Sequence, residues 1–246
     1  MERRFPVTNT ILVLNIFVFV AMIAAGRSLQ FTPRLLVDWG ANFVPLTLLA
    51  DQWWRLFTCT FVHANLLHIA FNMWCLWNIG RMAENIFGRF SFLCIYWLTG
   101  VSSSLLSCLV HPAGLSVGAS GAIFGVAGAL IPALRWGGLP FPREAVRSTL
   151  QSLLFFAGYN LFIGAAVAQI DNAGHIGGFV FGLLIGALLS RRLAAPPEER
   201  EGYSRAIFVL MVVLLLLAAW QVKKIRGPML KGMQQTSWLT GGCRVG

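Results

Sequence analysis

Charged side chains are scarce in this chain of 246 residues. Asp, Glu, Lys and Arg together make up 11% of it, and only nine residues are acidic. A soluble domain carries roughly 25% charged residues, so the composition excludes an ordinary soluble enzyme. The hydrophobic share of 57% and the mean hydropathy of +0.71 instead predict a protein that crosses a membrane several times.

Cysteine patterns that hold metals or redox pairs are also missing. The five cysteines include no CxxC spacing, so they are interpreted as small apolar side chains inside membrane segments. A net charge of +10 would suggest nucleic-acid binding in a soluble protein, but here Lys and Arg sit at the ends of apolar runs, where they fix orientation. We expect no cofactor and no nucleic-acid partner. The long first apolar run lacks a small-residue cleavage site, so no cleavable signal peptide is expected.

Seven apolar segments approach the length of about 20 residues that a membrane-spanning helix needs. They are 9–25, 66–80, 90–110, 119–134, 148–170, 173–190 and 205–221. Residues 26–65 are too polar to span the bilayer, yet they are rich in Trp, Phe and Leu. This long connection is therefore predicted to lie in the membrane interface against the helical bundle.

Positive charge is unevenly distributed between the two ends of these segments. Arg residues precede the first segment and follow the second, fourth and sixth, whereas only Arg27, Arg34 and Arg55 lie at the other ends before the seventh. Cytoplasmic loops carry the excess of Lys and Arg, so the N-terminus is predicted to be cytoplasmic. The basic tail, with Lys223 and Arg226, would then face outward. Either the last segment does not cross, or the preceding topology overrides its charge; we favour seven crossings.

Three polar side chains are expected at one depth in the bilayer. Ser120 and His175 lie 15 and 16 residues before the arginines that follow their segments, and His68 lies at a similar level on the second segment. At about 1.5 Å per residue, each is roughly 23–24 Å above the cytoplasmic face of a core about 30 Å thick. Ionisable residues inside a membrane are costly and are candidates for function.

Glycines recur at helical spacing on the fourth and sixth segments. They are Gly121, Gly125 and Gly128, and Gly178, Gly182 and Gly186. Small residues let membrane helices approach backbone to backbone, which would bring the Ser120 hydroxyl within about 2.6–3.2 Å of the His175 ring. Histidine is the side chain best suited to accept that proton near neutral pH. Asp171 precedes His175 by four residues and is interpreted as a helix N-cap, so the prediction is a dyad.

The second segment adds hydrogen-bond donors to this layer. His68 and Asn72 are four residues apart and share a helix face. With the Ser120 backbone N–H, they would supply the donors that an oxyanion needs. Zinc bound by His63, His68 and His175 is the alternative, but no acidic residue with suitable spacing is present to activate a metal-bound water.

These residues together resemble the rhomboid intramembrane serine proteases. The matching elements are "GASG", in which Gly118 and Gly121 flank Ala119 and Ser120, "HANLLHIAFN" with His63, His68 and Asn72, "WR" at Trp54 and Arg55, "ENIFG" after the second segment, and "AGHIGGFVFG" around His175. The resemblance covers most of residues 50–190. The combination is specific, whereas GxSG alone occurs in unrelated hydrolases.

The resemblance implies an all-α polytopic membrane protein with a six-helix rhomboid bundle over residues 1–192. A charged linker, 193–204, would join the bundle to an extra C-terminal transmembrane helix and basic tail, 205–246. Ser120 is implied as the nucleophile and His175 as the general base and acid, with no metal. Phe124 takes the place of an aromatic residue against the histidine, as Phe rather than the commoner Tyr.

The resemblance also assigns supporting roles and a substrate class. His68 and Asn72 are implied as the oxyanion site, and Trp54 and Arg55 as a brace in the outer leaflet. The implied reaction is cleavage of transmembrane segments of client proteins near the outer face, in a bacterial inner membrane. Two alternatives carry marks that the sequence lacks. An inactive client-binding relative would lack the serine or the histidine, and a proton-coupled transporter would show an internal repeat.

Overall fold

The structure, a computed structural model, describes residues 5–167, 169–191 and 193–239 and is built almost wholly of helices. In chain order the α-helices are α1 (Pro6–Gly26), α2 (Pro33–Asp38), α3 (Val44–Leu48), α4 (Arg55–Thr58), α5 (Leu66–Cys75), α6 (Arg81–Phe87), α7 (Arg89–Val110), α8 (Ser120–Trp136), α9 (Arg143–Ala166), α10 (Asn172–Ser190) and α11 (Pro197–Leu239). A 3₁₀ turn, Cys59–Phe61, follows α4, and a π-helical turn, Leu76–Gly80, joins α5 to α6.

Within the described residues, five helices are long and apolar enough to cross a membrane: α1, α7, α9, α10 and α11. The 17-residue α8 is apolar but shorter, and it is buried along most of its length between α7 and α10. The prediction of an all-α membrane protein is therefore confirmed. The long connection contains a small antiparallel pairing, in which strand β1 (Asn42–Phe43) pairs with β2 (Leu115–Ser116) just before α8.

Predicted and observed boundaries agree within three residues for α1, α7, α8 and α10. The second predicted segment ended too early, because the helix continues through the π turn into α6. The fifth was displaced towards the C-terminus. Helix α9 begins at Arg143, directly after Pro142, and ends at Ala166 because Val167 is extended. Ile170, which hydropathy placed in this helix, lies outside it.

The boundaries predicted for the seventh segment, 205–221, were wrong at both ends. Helix α11 begins at Pro197, inside the stretch predicted as a linker, and continues to Leu239. The sequence "PPEER" explains the early start, because proline suits the first helical position and acidic residues favour the first turn. Apolar composition identifies only the part of a helix that can lie in the hydrocarbon core. The prediction therefore left out the polar residues at both ends of α11.

Helices α8 and α10 approach each other more closely than helices with side chains between them can. A Cβ atom on Gly182 would lie 1.9 Å from the Gly125 carbonyl oxygen, and one on Gly178 would lie 2.0 Å from that of Gly121. The predicted backbone approach is present. The glycines of α8 contact two helices, however. A Cβ atom on Gly121 would point at Ser103 and one on Gly125 at Thr99, and both of these residues belong to α7.

A buried carboxylate anchors the start of α1. Glu84, on α6, accepts hydrogen bonds from the backbone N–H groups of Val7 and Thr8 and from the Thr8 hydroxyl, at 3.1, 2.8 and 2.7 Å. These are donors that the first turn of a helix leaves without partners, and a negative charge is favourable there. The "ENIFG" motif thus joins the first two membrane segments at this end of the bundle.

The C-terminal helix runs along the bundle and reaches the long connection. Near its start, the Tyr203 hydroxyl donates to the Leu188 carbonyl at the end of α10, at 3.2 Å. Towards its other end, the buried side chains of Leu215, Val222 and Leu230 belong to one apolar cluster with residues of α3 and α4. Helix α11 therefore contacts the bundle at both of its ends.

Polar contacts reinforce this second end of the packing. Lys223 pairs with Asp51, and the indole of Trp53 donates to the same carboxylate at 3.0 Å. Arg226 donates from Nε to the Leu109 carbonyl near the C-terminus of α7, at 2.6 Å. Two of the cations of the basic tail thus have partners on the long connection and on α7.

Substituting Gly182 by Ala tests the helix contact. The new methyl group would overlap the Gly125 carbonyl, so we expect a loss of about 1–3 kcal/mol or more in the free energy of unfolding. Gly158→Ala on α9 is the matched control, because no atom lies within 4 Å of the place where its Cβ would stand, and Ala is the better helix former by about 1 kcal/mol. Thermal unfolding in detergent measures both; equal losses would contradict the close approach.

Substituting Asp51 by Asn tests the link between α11 and the long connection. The hydrogen bond from Lys223, followed by that from Trp53, lowers the pKa of Asp51 below its usual value. A lowered folded-state pKa gives stabilisation that is present above the unfolded pKa and is lost as the pH falls through the folded pKa. We expect Asp51→Asn to lower the unfolding temperature by a few degrees at most at pH 7, and the difference from wild type to disappear at acidic pH once the Asp51 carboxylate of the folded wild type is protonated.

A double variant separates charge pairing from packing at this contact. Lys223→Gln should have little further effect in the Asp51→Asn background, because the two residues act as a pair. An equal loss at pH 7 and at acidic pH would contradict an electrostatic origin.

Candidate active site

Ser120 and His175 meet at the N-terminal ends of the two closely packed helices. Ser120 is the first residue of α8, and His175 lies in the first turn of α10. The Ser120 Oγ and His175 Nε2 atoms are 2.8 Å apart. The Asp171 side chain caps α10 by accepting from the Gly174 N–H at 2.9 Å, as predicted. A hydroxyl and an imidazole at this distance can exchange a proton.

Aromatic packing holds the His175 ring. Phe124, one turn after Ser120, stacks on the imidazole with ring centres 4.2 Å apart and an interplanar angle of 5°. Phe156 of α9 also packs against Phe124, with ring centres 5.1 Å apart. Among the described residues, no hydrogen-bond partner faces His175 Nδ1. The His175 ring is therefore held by its stacking on Phe124 and by its contact with Ser120.

The segment before Ser120 has an irregular backbone with several fixed points. Gly118 has a φ of +109°, which L-residues rarely adopt, and its N–H donates to the Cys59 carbonyl at 2.9 Å. The Ala119 N–H donates to His63 Nε2 at 3.4 Å. His63 is fully buried, and its Nδ1 lies 3.3 Å from the Phe61 carbonyl. His63 therefore connects the 3₁₀ turn to the loop that carries Ser120.

His68 directs one ring nitrogen towards that loop. The Ala64 N–H points at its Nδ1, 3.5 Å away, so Nδ1 is the accepting nitrogen and the ring proton belongs on Nε2. Nε2 in turn lies 2.6 Å from the position that a Gly118 side chain would occupy. Asn72 donates one amide hydrogen to the His68 carbonyl at 2.8 Å. The second hydrogen of that amide is not used in this bond.

These groups line one cavity of about 820 Å³. Its polar wall contains Ser120, His175, His68 and Asn72, together with the Gly118 backbone. Its apolar wall comes largely from α5 and α9, through Leu67, Phe71, Phe156 and Ile163. The structure thus brings the predicted serine, histidines and asparagine into one space.

Trp54 and Arg55 lie away from this cavity, in the long connection. The Arg55 guanidinium donates to the carbonyls of Val37 and Ala41 at 2.7 and 2.9 Å, and stacks on the Trp54 ring at 4.4 Å. Its Nε atom donates to Gln52 at 2.6 Å. Arg55 therefore ties together the turns around β1, which is the contact pattern expected of a brace.

The Rhomboid domain family matches residues 50–192, more than half of the chain. The chain belongs to the rhomboid family. Rhomboid protease AarA of Providencia stuartii is 31% identical over 231 residues, which cover 85% of this chain and 80% of that protein. Rhomboid-like protease 2 of Toxoplasma gondii is 32% identical over 207 residues, covering 81% and 70%. Rhomboid protease GluP of Bacillus subtilis is 35% identical over 182 residues, covering 74% and 34%.

The length of the match varies among relatives. The match covers 49% of the length of RHOMBOID-like protein 1 of Arabidopsis thaliana and 34% of the length of GluP. This rhomboid therefore spans about half of the length of these relatives or less. The resemblance inferred from "GASG" and its companion motifs is confirmed at the level of the family.

Sequence reasoning missed the serines of α7 that surround the site. Ser102 donates to the Gly177 carbonyl at 3.1 Å, and Ser104 donates to the Leu56 carbonyl at 3.0 Å. Ser103 lies against Gly121 and lines the cavity. The signal was the run "SSS" within an otherwise apolar helix, because polar residues inside a membrane helix mark interhelical contacts.

The zinc alternative finds no support in the positions of the histidines. His63 and His68 each turn one ring nitrogen to a backbone N–H, and His175 turns one to Ser120. Over residues 5–167, 169–191 and 193–239, no three His, Cys, Asp or Glu side chains come together as a set of metal ligands.

Substituting Gly118 by Ala tests the contact between His68 and the loop. Its methyl group would lie 2.6 Å from His68 Nε2, so the ring must move. Gly88→Ala is the control, because Gly88 also has a positive φ but no atom within 4 Å of its side-chain position. The chain has four histidines, so NMR of labelled imidazoles resolves them. We expect Gly118→Ala to shift the His68 signals and Gly88→Ala to leave them unchanged; the reverse would contradict this geometry.

Proposed function

We propose that this rhomboid is an intramembrane serine endopeptidase in which Ser120 is the nucleophile and His175 the general base and acid. The observation that carries the proposal is the 2.8 Å separation of Ser120 Oγ and His175 Nε2 inside a cavity that also holds candidate oxyanion donors. The names of two relatives, Rhomboid protease GluP and Rhomboid protease AarA, support the same reaction.

The reaction begins when Ser120 Oγ attacks the carbonyl carbon of the scissile peptide bond. His175 Nε2 takes the hydroxyl proton as the bond forms. The resulting imidazolium donates this proton to the amide nitrogen as the C–N bond breaks, leaving an acyl-enzyme ester. His175 then removes a proton from water, which attacks the ester, and Ser120 regains its proton when the acid product leaves.

Charge develops on the carbonyl oxygen at each addition step. The His68 Nε2–H, the second Asn72 amide hydrogen and the Ser120 backbone N–H are the proposed donors to this oxyanion. Support comes from the tautomer assigned to His68 and from the unused hydrogen of Asn72. Donors that are fixed beforehand in a site away from bulk water stabilise such charge strongly.

Hydrolysis needs both water and a client segment at this depth. Irregular backbone within a membrane is tolerated where it lines a water-filled cavity, which fits the loop that contains Gly118. We propose that transmembrane segments of client proteins enter laterally between α5 and α9, since both helices line the cavity and expose apolar side chains such as Leu67 and Phe155. Cleavage then occurs near the outer face of the bilayer, with the N-terminus of the enzyme in the cytoplasm.

Residues 1–192 are the proposed catalytic unit, because every residue in the mechanism lies there. The segment from 205 onward, now seen as part of a longer helix, is proposed to hold the long connection through Lys223 and its apolar neighbours. The proposed location is a bacterial inner membrane.

A fluorophosphonate probe tests the nucleophile in the detergent-solubilised full chain. The probe reacts with an activated serine, so wild type should be labelled and Ser120→Ala should not. Ser152→Ala is the matched control, because Ser152 is exposed on α9 and its hydroxyl donates to the Ser148 carbonyl of its own helix. Cleavage of a transmembrane substrate in liposomes should fall on the order of 10³-fold or more in Ser120→Ala and in His175→Ala.

Two results would overturn this function. Folded wild-type protein that neither reacts with the probe nor cleaves a panel of transmembrane substrates would favour an inactive client-binding protein. Proton-coupled solute uptake into liposomes that survives Ser120→Ala would favour a transporter.

A further inference from the structure

A second cavity lies at the opposite end of α8 from the catalytic pair. Its volume is about 440 Å³, and its wall includes Leu134, 14 residues after Ser120 and therefore roughly 21 Å further along the helix. The start of α1, helix α6 and the start of α9 complete the wall through Phe5, Arg81 and Phe141. None of the residues used in the proposed reaction lines it.

Arg81 is held in this cavity by two aromatic rings. Its guanidinium carbon lies 4.6 Å from the centre of the Phe5 ring and 4.4 Å from that of Trp77. Over the part of the chain that the structure describes, the Arg81 side chain makes no hydrogen bond or ion pair. These ring contacts use none of the guanidinium N–H groups, which can therefore pair with a planar or tetrahedral anion.

The surroundings of Arg81 suit a ligand that is both anionic and apolar. Most of the wall is apolar, including Met82, Ile86 and Val146, and no carboxylate is found among its described residues. Trp77 and Phe141 remain 46% and 41% exposed at its edge. Aromatic side chains of this kind are enriched where membrane helices leave the hydrocarbon.

Further positive charge lies at the same end of the bundle. Arg135 lies in the last turn of α8, and Arg143 and Arg147 lie in the first turns of α9. Glu84, the nearest carboxylate in sequence to Arg81, is used by the start of α1. Glu144, in the first turn of α9, is a further carboxylate at this end, but Arg81, Arg135, Arg143 and Arg147 still leave an excess of positive charge there. Basic pockets between helices at the cytoplasmic side are suited to acidic lipid headgroups.

We propose that this cavity is a binding site for an anionic phospholipid, whose phosphate pairs with the Arg81 guanidinium and whose glycerol and upper acyl chain cover the apolar wall. A free phosphate ion would satisfy the charge but leave the apolar wall exposed, so the combination favours a lipid. Bound lipid would join α1, α6 and α9 on the side of the bundle away from the catalytic pair. The site does not depend on the proposed protease activity.

Native mass spectrometry of the full chain in an uncharged detergent tests the site. Dioleoylphosphatidylglycerol should bind about tenfold more tightly than dioleoylphosphatidylcholine as a first lipid adduct. Arg81→Gln should abolish this preference, since one arginine contact near a membrane surface is worth about five- to tenfold in affinity. Arg81→Lys should keep part of it, because lysine retains the charge without the stacked fork.

Two further variants keep the result decisive. Arg135→Gln is the matched control, because Arg135 is exposed at the same end of α8 and does not line the cavity; it should keep most of the preference and lose far less of it than Arg81→Gln does. Thr149→Trp fills the cavity from α9 while leaving Arg81 intact, and should also abolish the preference. This variant remains informative if Arg81→Gln fails to fold.

Several outcomes would overturn the proposal. One is equal binding of the two lipids by wild type, and another is an unchanged preference in Arg81→Gln and Thr149→Trp. A loss in Arg135→Gln as large as that in Arg81→Gln would show a general effect of surface charge. Displacement of the lipid by inorganic phosphate at an equal concentration would show a simple anion site.

Discussion

The backbone contact between α8 and α10 is the constraint on which the contact between Ser120 and His175 depends. The Gly125 carbonyl occupies the space that any side chain at Gly182 would need, so the two helices meet backbone to backbone. Ser120 and His175 lie in the first turns of these two helices. The distance between the helices therefore sets the distance between the two side chains. Side chains at Gly178 or Gly182 would overlap the carbonyls of α8 and force the helices apart, which would lengthen the 2.8 Å contact between Ser120 and His175.

A second set of contacts holds the loop that leads into Ser120. The loop is held by a backbone hydrogen bond from the Gly114 N–H to the His111 carbonyl, by the β1–β2 pairing, by the Cys59 carbonyl and by His63. These partners belong to the long connection or lie next to it, and α11 packs against that connection. The C-terminal helix contributes no described side chain to the cavity that contains Ser120 and His175. It supports the loop indirectly, because it packs on the long connection and the long connection in turn holds the loop.

Composition, spacing and glycine periodicity were enough to predict the membrane class, most of the long helices and the meeting of Ser120 with His175. They could not show that Gly121 and Gly125 face α7, because a stripe of small residues marks a close approach without naming the neighbour. The partner of Glu84 was equally hidden, since it lies at the start of α1, 76 residues away. The ends of α9 and α11 were misplaced because hydropathy reports contact with lipid, whereas a helix ends where backbone hydrogen bonding ends.

The long helix α11 also bears on the charge of the tail. With the N-terminus in the cytoplasm, as proposed above, the cations after residue 222 would lie on the outer side, against the usual cytoplasmic excess of positive charge; this conflict left open whether the segment crosses. Contacts at both ends of the bundle, through Tyr203 and through Lys223, favour a helix that crosses. Lys223 pairs with Asp51, and Arg226 binds a carbonyl at the end of α7, where a helix is partially negative. These local partners offset part of the electrostatic cost of positive charge on that side and give the basic residues a structural role.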